Sequence, residues 1–274
     1  MHTSFNYRVR MDPVCQGGDR RMNKKWDLYD RLIEGIPAEL RVTDLTVGYQ
    51  WTLVKTELGC GVAMTVRQRA GPSREDARVL GKSLRDAAAL VKSWNFMEAS
   101  VGMAAINAWY NLPERLDRLG VLPHGEEERT KANAFSILGE ELWGKNVAVV
   151  GHFPNLEKQL APICRMSVLE REPQQGDYPD SACEYILEEQ DYVIITGMTF
   201  TNKTLPRLLE LIRPGAGICL AGPSVPLAAG LADYGITRLS GFCATDALRT
   251  EEAVKCGVKQ GIFQYGHMVD YPIA

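Results

Sequence analysis

From residue 146 onward the chain alternates short apolar runs with helical stretches, and that rhythm restricts its fold more than any other feature. The runs at 147–150, 165–169, 192–196, 218–221 and 237–240 are continuously apolar, not alternating. Strands read this way when helices cover both faces of a parallel sheet. The stretches between and after them, at 155–160, 181–189, 204–212, 225–232 and 247–256, suit helices. Five βα units in succession predict an α/β fold with a Rossmann-like, doubly wound parallel sheet.

The preceding residues have a different order. Trp26, Tyr29, Leu32 and Ile33 recur at helical spacing, with Asn23 placed to cap the start. Three β-type runs follow at 44–47, 51–57 and 62–66. They are separated by Gly48-Tyr49-Gln50 and Gly59-Cys60-Gly61, as in an antiparallel meander. Leu80, Leu84, Ala87, Ala88 and Val91 then form one helical stripe. A second helix over 96–109 carries Gly102, Ala104, Ala105 and Ala108, small enough for a neighbour to approach closely. Strands followed by helices predict a smaller α+β domain. The expected division is an extension over 1–22, the α+β domain over 23–111, a connecting segment and helix over 112–145, and the Rossmann-like domain over 146–274. Residues 1–22 hold four arginines but no apolar stretch after them, so they read as a flexible extension or a start-site artefact, not a signal peptide.

Bulk properties exclude some partners. A net charge of -3 gives no basic footprint for nucleic acid. The uncharged stretch 214–232 approaches the length of a membrane span, but Pro214, Gly215, Gly217, Gly222, Pro223, Pro226 and Gly230 break it into shorter pieces. No membrane segment is expected, and the location expected is cytoplasmic. The 7 cysteines are odd in number, include no CxxC pair and sit largely in apolar runs, which suits reduced, buried thiols.

In a doubly wound sheet the ligand crevice lies beyond the carboxyl ends of the strands. Those ends carry Gly151-His152-Phe153-Pro154, then Thr196-Gly197 with Thr199, Asn202 and Thr204, then Gly222-Pro223-Ser224, and finally Cys243 and Asp246. Glycine lets backbone approach a ligand, and hydroxyl or amide residues before a helix favour anions. His152 stands at a strand terminus and is the candidate acid, base or metal ligand. Metal-binding spacings are absent, so any ion would need ligands gathered from separate loops, such as His152, Cys243 and Asp246. Glu170 lies near the ~20-residue spacing of a ribose-binding acid. The first turn nevertheless lacks GxGxxG and puts Phe153 and Pro154 where a pyrophosphate needs bare backbone, against a dinucleotide in the usual pose. There is no GxSxG elbow and no Walker loop.

Taken together, Gly102-Met103-Ala104-Ala105-Ile106-Asn107-Ala108, Val150-Gly151-His152-Phe153-Pro154, Ile195-Thr196-Gly197 with Asn202-Lys203-Thr204-Leu205, and Gly222-Pro223-Ser224 resemble the prokaryotic family described as "putative heavy-metal chelation". The resemblance runs from about Trp26 to the C-terminus. It implies an enolase-N-terminal-like domain packed on the Rossmann-like domain, a site at their junction, and Asn107 projecting into that site. Spacing alone supplies no metal-ligand set to support the chelation label. The expected function is binding of a small molecule or metal complex in an inter-domain cleft, as an enzyme with His152 as acid or base. The alternatives are a non-catalytic carrier of a metal or metal–organic cofactor, and a nucleotide-binding Rossmann enzyme with an atypical loop. A homodimer through 102–108 or a meander edge is compatible with the sequence and not required by it.

Overall fold

The computed structural model describes residues 24–68, 71, 73, 78–123, 138–258 and 260–273. The expected extension over 1–22, the cap at Asn23 and residues 124–137 of the connecting segment and helix expected over 112–145 lie outside the described residues.

Helix α1 (Lys24–Glu34) precedes three antiparallel strands, β1 (Asp44–Val47), β2 (Trp51–Lys55) and β3 (Cys60–Met64). Helix α2 (Leu84–Ala88) and a 3-10 turn over Ala89–Lys92 lead to α3 (Phe96–Tyr110). Ser83 caps α2 by accepting the Asp86 N–H at 3.1 Å, so the apolar stripe starts at Leu84. Leu80 stands in the preceding turn and is exposed, not part of the stripe. The small face of α3 lies directly on the meander. A Cβ on Gly61 of β3 would come within 2.0 Å of the Ala108 nitrogen.

The second sheet has seven strands: β4 (Asn146–Val150), β5 (Arg165–Glu170), β6 (Tyr178–Pro179), β7 (Tyr192–Thr196), β8 (Gly217–Ala221), β9 (Arg238–Ala244) and β10 (Gly266–Pro272). Their order across the sheet is β10-β9-β8-β7-β4-β5-β6. All pairings are parallel except β9 with β10. Counted among the parallel strands alone, this is the doubly wound order of dinucleotide-binding folds. The structure differs from the sequence expectation in that β6 and β10 are additional strands, β9 continues past Ser240 to Ala244, and the helix expected over 225–232 is a 3-10 segment over Ala229–Tyr234.

One apolar cluster runs unbroken from Leu28 and Tyr29 of α1, through Met103, Ala104 and Ala108 of α3, to Ile195, Leu220 and Leu239 of the large sheet. Polar bonds follow the same junction. Asn111, at the end of α3, donates to the carbonyls of Val225 (2.9 Å) and Phe242 (3.0 Å) and accepts the Leu227 N–H at 2.8 Å. Tyr29 Oη donates to the Phe200 carbonyl at 3.1 Å, and Lys55 pairs with Glu251 at 2.8 Å. Among the described residues, no helix is long and apolar enough to cross a membrane.

Candidate functional site

The chain leaves β4 toward β5 on one side and later builds β7 and β8 on the other. The winding therefore reverses between β4 and β7, where open α/β sheets have their crevice. Gly151, directly after β4, has φ +103, a conformation that L side chains rarely adopt, and a Cβ there would sit 2.9 Å from Thr196 Cγ2. The tight turn leads into His152, Phe153 and Pro154.

A cavity of about 1260 Å³ opens at this point. The Rossmann-like half lines it with Gly151, His152, Phe153 and Pro154, with Thr196, Gly197, Thr199, Asn202 and Thr204, and with Gly222, Pro223 and Ser224. The meander contributes Tyr49, Trp51, Met64 and Arg67, and the chain's last turn and strand contribute Phe263, His267 and Met268. The strand-end loops singled out in the sequence thus converge on one space.

Many of their polar atoms are already engaged in shaping the loops. Thr199 Oγ1 donates to the Thr196 carbonyl at 2.7 Å. Asn202 Oδ1 accepts the N–H (3.1 Å) and hydroxyl (2.7 Å) of Thr204. Ser224 Oγ accepts the Met64 N–H at 2.9 Å, tying the meander to the loop after β8. Glu170, at the end of β5, accepts the His152 N–H at 2.8 Å through Oε2 and the N–H groups of Arg171 and Glu172 through Oε1. It braces the first two loops of the sheet.

Three expected positions fall elsewhere. Asn107 is fully buried and does not project into the cavity; its amide donates to the carbonyls of Val62 (2.8 Å) and Pro223 (3.3 Å), so it joins the two halves beneath the site. Cys243 is buried within β9, and burial pushes its thiol up to about 12. Asp246 caps the helix Ala247–Cys256 by accepting the Arg249 N–H at 3.0 Å. Cys243 and Asp246 do not line the cavity with His152.

A different set gathers around His152. Its Nδ1 lies 2.9 Å from Asp177 Oδ2, and the Asp177 side chain is 4% exposed. The Gln174 N–H donates to the same carboxylate oxygen at 2.9 Å and holds it in place. On the other side of the ring, Nε2 lies 3.4 Å from Glu157 Oε1. Asn155, with φ 60, turns the chain into the short helix Leu156–Leu160 and places Glu157 in its first turn. One potential ligand atom from each of His152, Glu157 and Asp177 lies within 4.8 Å of the others. With a proton on Nδ1 donated to Asp177, the imidazole would present its Nε2 lone pair toward Glu157, the arrangement that carboxylate partners give metal-binding histidines. Sequence reading missed Asp177 because the strand β6 that it precedes is only 2 residues long, so its loop was never placed at the sheet's carboxyl end.

The donor set is nitrogen and oxygen, which suits zinc, nickel or ferrous iron more than a soft thiolate metal. Buried thiols agree with that division. Cys60 is likewise buried, and burial pushes its thiol up to about 12.

A family model described as "putative heavy-metal chelation" matches residues 133–271, and a second model with the same description matches residues 29–110. Among solved structures, the chain is similar to a protein of unknown function from the DUF364 family of Desulfitobacterium hafniense DCB-2. The two share 41% identity with a TM-score of 0.82, over 91% of this chain and 99% of that one. A DUF364-family protein of unknown function from Pyrococcus horikoshii has the same fold at 22% identity and TM-score 0.71, over 89% of this chain and 98% of that one. No curated protein matches.

Proposed function

This chain belongs to the family described as "putative heavy-metal chelation", and from that premise we propose that it binds a metal–organic complex in the cavity walled by its two halves. The observation that carries this reading is the Asp177–His152–Glu157 arrangement at the sheet's switch point. His152 Nε2 and Glu157 would hold a divalent ion, with Asp177 orienting the imidazole from behind. A bound ion would supply a Lewis-acidic centre. Two direct protein ligands hold a bare ion weakly, and the space of about 1260 Å³ is far larger than an ion needs. The remaining ligands would come from an organic molecule occupying the cavity. Phe153 and Pro154 at the first turn, and Glu170 engaged with backbone N–H groups, favour this over a dinucleotide.

The Asp177–His152 pair also favours a second reading, in which Nε2 exchanges a proton with the bound ligand and the protein is an enzyme. The readings separate on variants. Zinc affinity by calorimetry is expected to collapse in His152→Ala and fall in Glu157→Gln if the ion is held there. If His152 acts only in proton transfer, both variants bind zinc like the parent. Unchanged zinc binding in His152→Ala would end the metal reading.

A further inference from the structure

The sheet face that meets the cavity carries a hydroxyl with no hydrogen-bond partner among the described residues. Thr196 of β7 lies opposite Ala221 of β8, and Ala221 opposite Ser240 of β9. Paired residues on neighbouring strands share a face, so these three stand side by side, Thr196 and Ala221 at the carboxyl ends of β7 and β8 and Ser240 within β9, and all line the cavity. Ser240 is 1% exposed, and among the described residues its Oγ has no hydrogen-bond partner. Its backbone is engaged, since its carbonyl accepts the Gly222 N–H at 3.0 Å. A buried hydroxyl without a partner is destabilising relative to alanine, and such groups call for a reason.

The neighbourhood indicates what could supply the missing partner. Two residues along the same face of β9, Phe242 pairs with Met268 of β10 and stacks edge-on with Phe263 at 5.5 Å. Phe263 in turn meets Trp51 at 6.4 Å. Met268, Phe263 and Trp51 line the cavity together with Ser240. Aromatic and thioether side chains give a flat, polarisable surface, and a small-molecule site typically pairs such a surface with a few placed polar groups.

We propose that Ser240 is a ligand-binding residue, and that this end of the cavity takes a planar conjugated or heteroaromatic ring whose heteroatom hydrogen-bonds Ser240 Oγ. The inference rests on the cavity reading above and assigns the organic part of the ligand, whereas the His152 end concerns the ion.

The test uses the full chain freed of metal with a chelator, so that it does not depend on the ion. Nicotinamide, quinoxaline and 2-quinolone are screened by saturation-transfer NMR, with cyclohexanecarboxamide as the non-aromatic control. At least one aromatic fragment is expected to bind, and Ser240→Ala to weaken it about tenfold, as the loss of one hydrogen bond implies. The melting temperature of the unliganded variant is expected to stay level or rise. Zinc affinity, measured with zinc alone, is expected to be the same in Ser240→Ala as in the parent. Absence of binding by every aromatic fragment, equal binding to the variant, or a lower melting temperature of the free variant would each overturn the assignment. If zinc fails to bind the parent while a fragment binds through Ser240, the metal reading falls and this one stands.

Discussion

Replacing Asn111 with alanine tests how the two halves are held together. The Asn111 side chain is 1% exposed and makes three hydrogen bonds, all to backbone groups of the Rossmann-like half: the carbonyls of Val225 and Phe242 and the N–H of Leu227. A typical hydrogen bond contributes about 1 kcal/mol net, and a buried group left unsatisfied costs ~1–3 kcal/mol. Asn111→Ala leaves three such groups without a partner in a site closed to water, so the expected loss is about 3–5 kcal/mol. Urea unfolding followed by both far-UV circular dichroism and tryptophan fluorescence measures it. Because the apolar cluster is continuous across the junction, both probes are expected to report one transition, with the midpoint lowered and the slope unchanged. Glu184→Ala is the control. It removes the exposed pair with Arg207 and should change stability by less than about 0.5 kcal/mol. A loss under about 1 kcal/mol for Asn111→Ala, or two separate transitions in the parent protein, would refute the reasoning.

Other outcomes follow from the same geometry. Lys255 and Lys55 hold the Glu251 carboxylate down to about 2, below its ordinary 4.5. The stability it contributes is therefore complete above the ordinary value and is lost as pH falls from there toward 2. Glu251→Gln should cost about 2 kcal/mol at neutral pH and flatten that part of the acid-unfolding curve, read from melting temperatures across the pH range. Gly61→Ala would drive a methyl group into the α3 backbone at Ala108. It should lower stability by about 3 kcal/mol or more, seen as a fall in melting temperature. Asp177→Asn keeps the shape of the loop but weakens the orientation of His152, and zinc affinity by calorimetry should fall about 10–100-fold.

The sheet was legible because its central strands are buried on both faces and so appear as continuous apolar runs. Its margins were not. β10 is an edge strand of mixed burial, Gly266–Pro272, and has no such run. β9 was cut short at Ser240 because Gly241 resembles a strand end. In the fold it is a mid-strand glycine, required because a Cβ would lie 2.6 Å from the Val225 carbonyl oxygen. The site divides similarly. The Gly151-His152-Phe153-Pro154 turn and the loops after β7 and β8 could be placed from strand order alone, and they share one cavity. Asp177 and Glu157 could not. One lies in a loop before a two-residue strand, and the other looks like any exposed helical acid, so only folding brings them to His152. The family resemblance implies that Asn107 projects into the site, and a buried amide and a binding amide look the same in sequence; its bonds to Val62 and Pro223 give it a joining role.

X-ray absorption at the zinc edge, on the full chain loaded with one equivalent of zinc, tests the central claim most directly. The account predicts a shell of nitrogen and oxygen with the outer scattering of a single imidazole and no sulfur, and loss of that imidazole signal in His152→Ala. A sulfur shell, or an imidazole signal that survives in His152→Ala, would contradict it.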